Sequence, residues 1–166
     1  FTDVVDATVD SSVAGNIAIS EVDAITLNSV TTNAGAISVT VGGTVNAVIV
    51  NSALANGNIS IVSSGDINVT ETLAGPGDLT LTAALGIIDA PADTTLKLQA
   101  GNAILRATTG IGSSNALEVA FVSLNAENAG AAGNVNLTET VGDLTITRLF
   151  LSQGGTTGNV FVSTTD

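Results

Sequence analysis

The sequence predicts an all-β protein, a right-handed parallel β-helix (β-solenoid) with about 20–22 residues per coil and roughly eight coils. Two observations predict this fold: a short unit recurs at regular spacing, and the apolar residues are mostly small and aliphatic. The unit is Gly, then Asn or Asp, then apolar-x-apolar. In the segment GNISIVSSGDINVTETLAGPGDLTLT it begins at Gly57, Gly65 and Gly77, so the steps are 8 and 12 residues.

The same rhythm occurs earlier in the chain. The unit begins at Gly15 and Gly35, with a weaker copy at Asp23, and the steps are again 8 and 12 residues. Repetition at this period is typical of a solenoid, in which each coil covers the apolar face of the last. Three strands of about four or five residues with short turns fill one coil. Ile59 and Ile61 then point inward, and the connections between parallel strands are right-handed.

Composition also favours stacked strands. Of the 166 residues 45% are apolar, yet there are four Phe and no Tyr, Trp, Met or Cys, so Ile, Val, Leu and Ala must form the core. Eighteen Gly and two Pro indicate many tight turns. The alternative fold is a pair of antiparallel β-sandwich modules, which also have turn signals about every 8–12 residues. The recurrent Gly-Asn opening and the period of the unit favour the solenoid.

The regularity varies along the chain. We predict one continuous solenoid over residues 1–166, less regular over 83–132, with a projecting loop near 109–115. Pro91 marks a second longer turn in the less regular part.

Regular units return at Gly133, Gly142 and Gly158. Their offsets from the first three units of the chain are 118, 119 and 123 residues, which predicts a longer repeat of about 120 residues. We therefore expect a fragment or unit of a longer repeat array. The last nine and the first fourteen residues together make about one coil, so stacking of identical chains end to end is an alternative.

The charge excludes one class of partner. Fifteen acidic and three basic residues give a net charge of −12, and nucleic acid is excluded because phosphate neutralisation needs clustered Lys or Arg. Membrane insertion is not predicted, because no apolar run approaches the roughly 18 residues of a membrane helix. The acidity is typical of a solubility device on an apolar chain.

The polar residues of the repeat predict turns rather than chemistry. Asn or Asp after Gly tolerates the tight turn and caps its backbone, so no catalytic or cofactor-binding residue is predicted. Asp3, Asp6 and Asp10 form the candidate metal site, because calcium prefers several carboxylate oxygens. A solvated acidic face is favoured, and calcium at these three residues is the alternative.

Two active functions remain as alternatives. A polysaccharide-active β-helix enzyme needs a positioned acid and base, often with aromatic platforms. The chain has no His, Tyr or Trp, and its basic residues show no tight grouping with Asp in the sequence. An enzyme is therefore not predicted. Thr-x-Thr pairs such as Thr80 and Thr82 suggest an ice-binding solenoid, but the predicted outward positions form no regular rank of Thr.

Three segments carry a family resemblance: GNISIVSSGDINVTET, LRATTGIGSSNALEV and GNVNLTETVGDLTI. With them, the chain resembles the filamentous-haemagglutinin-like bacterial surface proteins, very large exoproteins and adhesins built from β-strand repeats. The resemblance implies an extracellular, cell-surface β-helix with a structural or adhesive role in a fibre. Its implied partners are neighbouring coils or identical chains, and host-cell or matrix glycans and proteins. No functional residue carries over, because the matched positions are framework positions.

Overall fold

The computed structural model describes residues 6–55, 57–90, 93–152 and 158–165. In chain order the strands are β1 (Asp6–Ala14), β2 (Ile17–Glu21), β3 (Ile25–Ala34), β4 (Ile37–Val41), β5 (Val45–Ala47), β6 (Val50–Asn51), β7 (Ile59–Ser63), β8 (Ile67–Val69), β9 (Thr72–Leu73), β10 (Asp78–Ala83), β11 (Gly86–Asp89), β12 (Leu98–Ala107), β13 (Gly110–Ile111), β14 (Leu117–Asn128), β15 (Val135–Glu139), β16 (Thr145–Leu151) and β17 (Val160–Thr164). One turn of 3-10 helix, Ala53–Ala55, is the only helix in these residues.

Every strand pairing in the described residues is parallel, and all 17 strands belong to one continuous sheet. The predicted all-β solenoid of parallel strands is therefore confirmed. The antiparallel β-sandwich alternative is wrong, because sandwich hairpins would pair neighbouring strands in opposite directions.

The strands stack in three columns that run along the solenoid. Column A contains β2, β4, β7, β10, the second halves of β12 and β14, and β16. Column B contains the start of β3, then β5, β8, β11, β13 and the start of β15. Column C contains the end of β3, then β6, β9 and the starts of β12 and β14. Each full coil thus crosses three columns, which correspond to the three predicted strands, although β3, β12, β14 and β15 each span two columns.

The 8- and 12-residue steps have a structural explanation. The chain enters column A at Ile17 and reaches column B at Ile25, 8 residues later. It then crosses column C at Val30 and returns to column A at Ile37, 12 residues after Ile25 and one coil above Ile17. The column C strand lacks the Gly-Asn opening, so only two of the three strands show the unit in the sequence.

The coils are slightly fewer than the sequence predicts. Successive partners in column A are 20, 22, 20, 24, 21 and 22 residues apart. These steps join seven rungs, which span about 30 Å at about 4.8 Å per rung. The structure thus has about seven coils, close to the roughly eight predicted, and five of the six steps lie within the predicted 20–22 residues.

The core consists of aliphatic side chains that stack from coil to coil. In column A, Val39, Ile61 and Leu81 are successive partners, and all three have no exposed surface. In column B, Val45 pairs with Ile67, and neither side chain has exposed surface. Each such side chain stabilises the fold by about 1.5–3 kcal/mol. The columns are therefore the main source of stability.

The extra length of the irregular coils lies between columns B and C. This connection takes 5 residues from Ile67 to Thr72, but 11 residues from Ile87 to Leu98. The predicted loop at 109–115 contains β13 and the buried residues 110–112, whereas Thr109, Ser113 and Ser114 are exposed. Both longer connections border the same corner of the solenoid.

The longer repeat of about 120 residues does not relate equivalent positions. Gly15 precedes Ile17 of column A, whereas its sequence counterpart Gly133 precedes Val135 of column B. The expectation of a structural repeat at this length is therefore wrong. The same short motif serves two different corners, because both need a tight turn followed by a strand with alternating burial.

The glycine of the unit is required where coils stack most closely. A Cβ atom on Gly35 would lie 2.1 Å from the carbonyl oxygen of Gly15, and one on Gly57 would lie 2.2 Å from that of Gly35. Real Cβ atoms do not approach backbone oxygen this closely, so a side chain at either position would push two coils apart. The turn glycines thus set the spacing between coils.

We expect Gly35→Ala to lower the free energy of unfolding by about 1–3 kcal/mol, because the added methyl group overpacks a backbone contact. Gly15→Ala is the matched control, since its Cβ would meet only the Ser11 hydroxyl, at 3.3 Å. Urea denaturation followed by circular dichroism measures both variants. Equal stability of the two would contradict the close-contact explanation.

Candidate functional site

The Asn and Asp residues of the turns bond to the next coil. The Asn16 side-chain oxygen accepts the Ala36 N–H at 2.9 Å, and that of Asn58 accepts the Asp78 N–H at the same distance. The Asn102 amide then donates to Asp78 at 2.8 Å. These bonds satisfy backbone groups and hold the register, so the turn role predicted for these residues is confirmed.

Side chains of successive coils also form a ladder of hydrogen bonds along the outside of column B. Asn68 donates its side-chain amide to Asn46 at 2.8 Å, and Asn46 donates to Thr26 at 3.3 Å. Stacked amides of this kind fix the register of parallel strands. Their donors and acceptors face one another rather than a ligand.

The candidate calcium residues lie at one end of the solenoid. Asp6 and Asp10 are exposed on β1, and Asp10 accepts the Thr31 hydroxyl at 3.1 Å. Four residues of extended strand separate their Cα atoms by about 13 Å, too far for both carboxylates to bind one ion. Asp3 lies outside the described residues. Within the described ranges no group of three or more Asp, Glu, His or Cys could hold a metal ion.

A different set of polar residues lies close together at the corner between columns B and C, where the two longer connections run. We call it the Lys97 cluster, and its members are Asp89, Asp93, Thr95, Lys97, Asn115 and Glu118. The sequence-based statement that the basic residues do not group with Asp is therefore wrong. Column stacking and the longer connection fold Asp89 and Asp93 back onto the single lysine of the chain.

Lys97 is buried completely and has three polar partners. Its Nζ atom lies 2.5 Å from Asp93 Oδ1 and 2.7 Å from Thr95 Oγ1, to both of which it donates hydrogen bonds. It lies 3.5 Å from Asp89 Oδ1, and neither the Lys97 nor the Asp89 side chain is exposed. Asp93 is different, because 47% of its side chain is exposed.

The backbone explains this arrangement. Asp93 accepts both the N–H and the hydroxyl of Thr95, at 2.8 and 2.6 Å, which closes a turn that aims its carboxylate at Lys97. Lys97 immediately precedes β12 and has no exposed surface. The Thr72 N–H donates to the Lys97 carbonyl, and the Lys97 N–H donates to that of Glu118, both at 2.8 Å.

Asn115 and Glu118 complete the cluster from the next coil. Asn115 donates its amide to Asp89 Oδ2, which leaves Asp89 Oδ1 facing the lysine without a hydrogen bond. Glu118 is 6% exposed, and its Oε2 atom has no hydrogen-bond partner. The Asn115 side chain thus fixes one oxygen of Asp89 and leaves the other available.

The two acids respond to their surroundings in opposite ways. Hydrogen bonds from Lys97 and Thr95 lower the pKa of Asp93 to about 2. Burial raises the pKa of Glu118, and the nearby charge of Asp89 raises it further. Near neutral pH, Asp93 is therefore a carboxylate, whereas Glu118 takes up a proton at a higher pH than an ordinary glutamate does.

The two arginines form a separate surface group. Glu127 Oε2 accepts Arg148 at 2.5 Å and lies 3.9 Å from Arg106 Nε, and Arg148 also stacks over the Phe150 ring at 4.8 Å. All four side chains lie on the outside of column A. Such exposed pairs contribute about 0–1 kcal/mol, so we assign them no chemical role.

The described surface has open grooves. One, of about 440 Å³, runs beside Gly75, Pro76 and Gly101. Another, of about 410 Å³, lies at the end of the solenoid between Ile146 and Val162. No residue of the Lys97 cluster lines either of these two grooves.

Comparison with protein-family models, with curated proteins and with solved structures finds no match. None of the helices in the described ranges is long and apolar enough to cross a membrane. The fold therefore defines the class, a parallel β-solenoid.

The sequence carried only a faint signal for the Lys97 cluster. Asp89, Asp93 and Lys97 are spaced by four residues. Residues four apart face the same side of a strand, but only Asp89 belongs to a strand, so the spacing alone does not bring the three together. Asn115 and Glu118 come from another coil. Their approach requires the lengths of both connections, which the repeat unit does not encode.

We expect the stability to depend on pH through both acids. Glu118 has a folded pKa above its ordinary value of 4.5, so its contribution is full below about pH 4.5 and is lost as the pH rises. Asp93 contributes above its ordinary value of 3.8, and that contribution is lost as the pH falls towards 2. Urea midpoints measured from acid to neutral pH should therefore pass through a maximum at mildly acid pH.

Single substitutions separate the two effects. Glu118→Gln should reduce the decline towards neutral pH, and Asp93→Asn should reduce the loss in acid. Glu21→Gln, in the first coil, is the control and should leave the profile unchanged. A Glu118→Gln profile that runs parallel to that of the unsubstituted protein would contradict the role of burial.

Proposed function

We propose that this chain is a structural or adhesive module of an extracellular bacterial fibre, part of a long β-solenoid that spans distance and presents a surface. The observation that carries the proposal is the open apolar end of the solenoid. Column partners buried inside the rod continue outward to Ile146 and Val162, where no further strand covers them among the described residues.

The end face is suited to receive another coil. Ile146 is 44% exposed, although its partner Leu124 in the coil below is fully buried. Val160 and Phe161 of β17 are 41% and 54% exposed. Unpaired strand edges over apolar side chains are strong templates for further pairing. The next coil can come from the same polypeptide or from a second copy.

The sides of the rod support a scaffold role. Outward positions of column A change from coil to coil, as in the series Thr40, Val62, Thr82 and Arg106. A regular Thr rank for ice binding is therefore not favoured. A polysaccharide-active enzyme is not favoured either, because Lys97 and Asp89, the base and the acid that lie closest to the core, have no exposed side-chain surface.

The surface location and the adhesive role rest on the resemblance to filamentous-haemagglutinin-like exoproteins. The acidic exterior suits a soluble rod, and glycans or proteins of a host or matrix are the proposed ligands along its sides. Repeated coils supply length at about 4.8 Å each, which suits a protein that must reach beyond a cell surface.

A second candidate is a filament subunit that stacks on identical copies. The open end face favours it, because the same columns can continue across a junction between chains. We expect electron microscopy of the purified chain to show rods that lengthen with concentration. Ile146→Asp should shorten them by placing a charge in the junction.

The control for this experiment is Val122→Asp. Val122 is 66% exposed on β14, in a coil beneath the end face, so the same change there should leave association intact. Short, monodisperse particles of the unsubstituted chain at every concentration would exclude the self-stacking filament.

Surface location requires a separate experiment. Antibodies raised against the purified rod should label intact cells of the source bacterium, and protease added outside the cells should remove the label. Antibodies against a cytoplasmic protein serve as the control for cell integrity. Labelling that requires permeabilised cells would contradict the proposed extracellular role, whatever the rods do in solution.

A further inference from the structure

The Lys97 cluster contains the components of a covalent bond. The Lys97 amine and the Asp89 carboxyl lie 3.5 Å apart, and neither side chain is exposed to water. Asn115 holds the second oxygen of the same carboxyl. We propose that Lys97 and Asp89 condense to an intramolecular amide, an isopeptide bond that closes residues 89–97 into a ring.

The reaction balances without a co-reactant. A proton passes from the Lys97 ammonium to the Asp89 carboxylate, which converts the ion pair into a neutral amine and a carboxylic acid. Nζ attacks Cγ of Asp89, and a bond forms between them. Nζ loses one proton as the amide forms, and Oδ1 leaves as water with that proton and the one it received first, while Oδ2 remains as the amide oxygen. No atom is oxidised or reduced, and two opposite charges disappear.

Each neighbour has a role in this step. The Asn115 amide donates to Oδ2, the oxygen on which negative charge develops as Nζ attacks. Glu118 adjoins Lys97 one coil away, since the Lys97 N–H donates to the Glu118 carbonyl. Its Oε2 atom is buried and has no hydrogen-bond partner, so we assign to Glu118 the transfer of the proton from Nζ to the leaving oxygen.

Asp89 is the partner rather than Asp93, although Asp93 lies closer to the amine. Asp93 is half exposed and its pKa is lowered to about 2, so it stays a hydrated carboxylate and a poor electrophile. Its hydrogen bond instead orients Nζ. The Asp89 side chain has no exposed surface, and its Oδ1 accepts no hydrogen bond that would have to break before the reaction.

Burial favours the bonded state. Two buried charges carry a desolvation penalty that their mutual attraction offsets only in part. A neutral amide removes both charges, and the burial of the Lys97 and Asp89 side chains opposes hydrolysis. The bond would hold the connection between β11 and β12 against its own coil, independently of whether the rod acts at a cell surface.

Intact-mass spectrometry of the unsubstituted protein tests the proposal directly. We expect the mass to fall below that of the sequence by one water molecule. Because Lys97 is the only lysine, trypsin should fail to release the peptide of residues 98–106, and no lysine side chain should react with an amine-specific reagent after denaturation. Full mass with free Lys97 in the folded protein would overturn the proposal.

Substitutions identify which side chains form the bond and which only support it. Lys97→Arg and Asp89→Ala should restore the full mass, whereas Asp93→Asn should still lose water. Glu118→Gln should leave the chain unbonded while circular dichroism shows an intact β fold, and rapid bonding in that variant would overturn the acid role of Glu118. Loss of water with Lys97 still cleaved by trypsin would show a succinimide instead, which also contradicts the isopeptide bond.

Discussion

In-register hydrogen bonding between successive coils is the constraint on which the rest of the structure depends. Each strand pairs with the equivalent strand about one coil away, so any residue that faces inward must have an inward neighbour above and below it. This explains why Val39, Ile61 and Leu81 form one stack and why the core uses few residue types. A side chain of the wrong size at one rung would disturb two others.

The same constraint makes much of the fold predictable from sequence. The alternation of apolar and polar residues alone predicts that Ile59 and Ile61 face inward. Both are at most 1% exposed. The 8-residue step marks the passage from column A to column B, and the turn residues recur because every coil needs the same corner. Local pattern and global fold agree here, which is typical of repeat proteins.

Prediction failed where the repeat unit carries no information. Column C strands have no Gly-Asn opening, so the unit does not mark their positions, such as Val30 and Thr72. The relation between Gly15 and Gly133 was misleading because similar turns occur at different corners. The Lys97 cluster depends on two connection lengths and on which coils are adjacent, and neither quantity can be obtained from a short motif.

The cluster lies where the repetition breaks, and this position has a physical reason. Asp89 ends β11 in column B, where its partner in the preceding coil is the fully buried Val69, so its carboxylate finds no charged partner in that coil. The longer connection that follows Asp89 supplies this partner, because it brings Lys97 to 3.5 Å from the carboxylate. Both side chains are buried, which raises the energy of the separated charges and favours their replacement by a neutral bond. The break in the repetition thus combines the amine, the carboxyl and the neighbouring acid at a single corner.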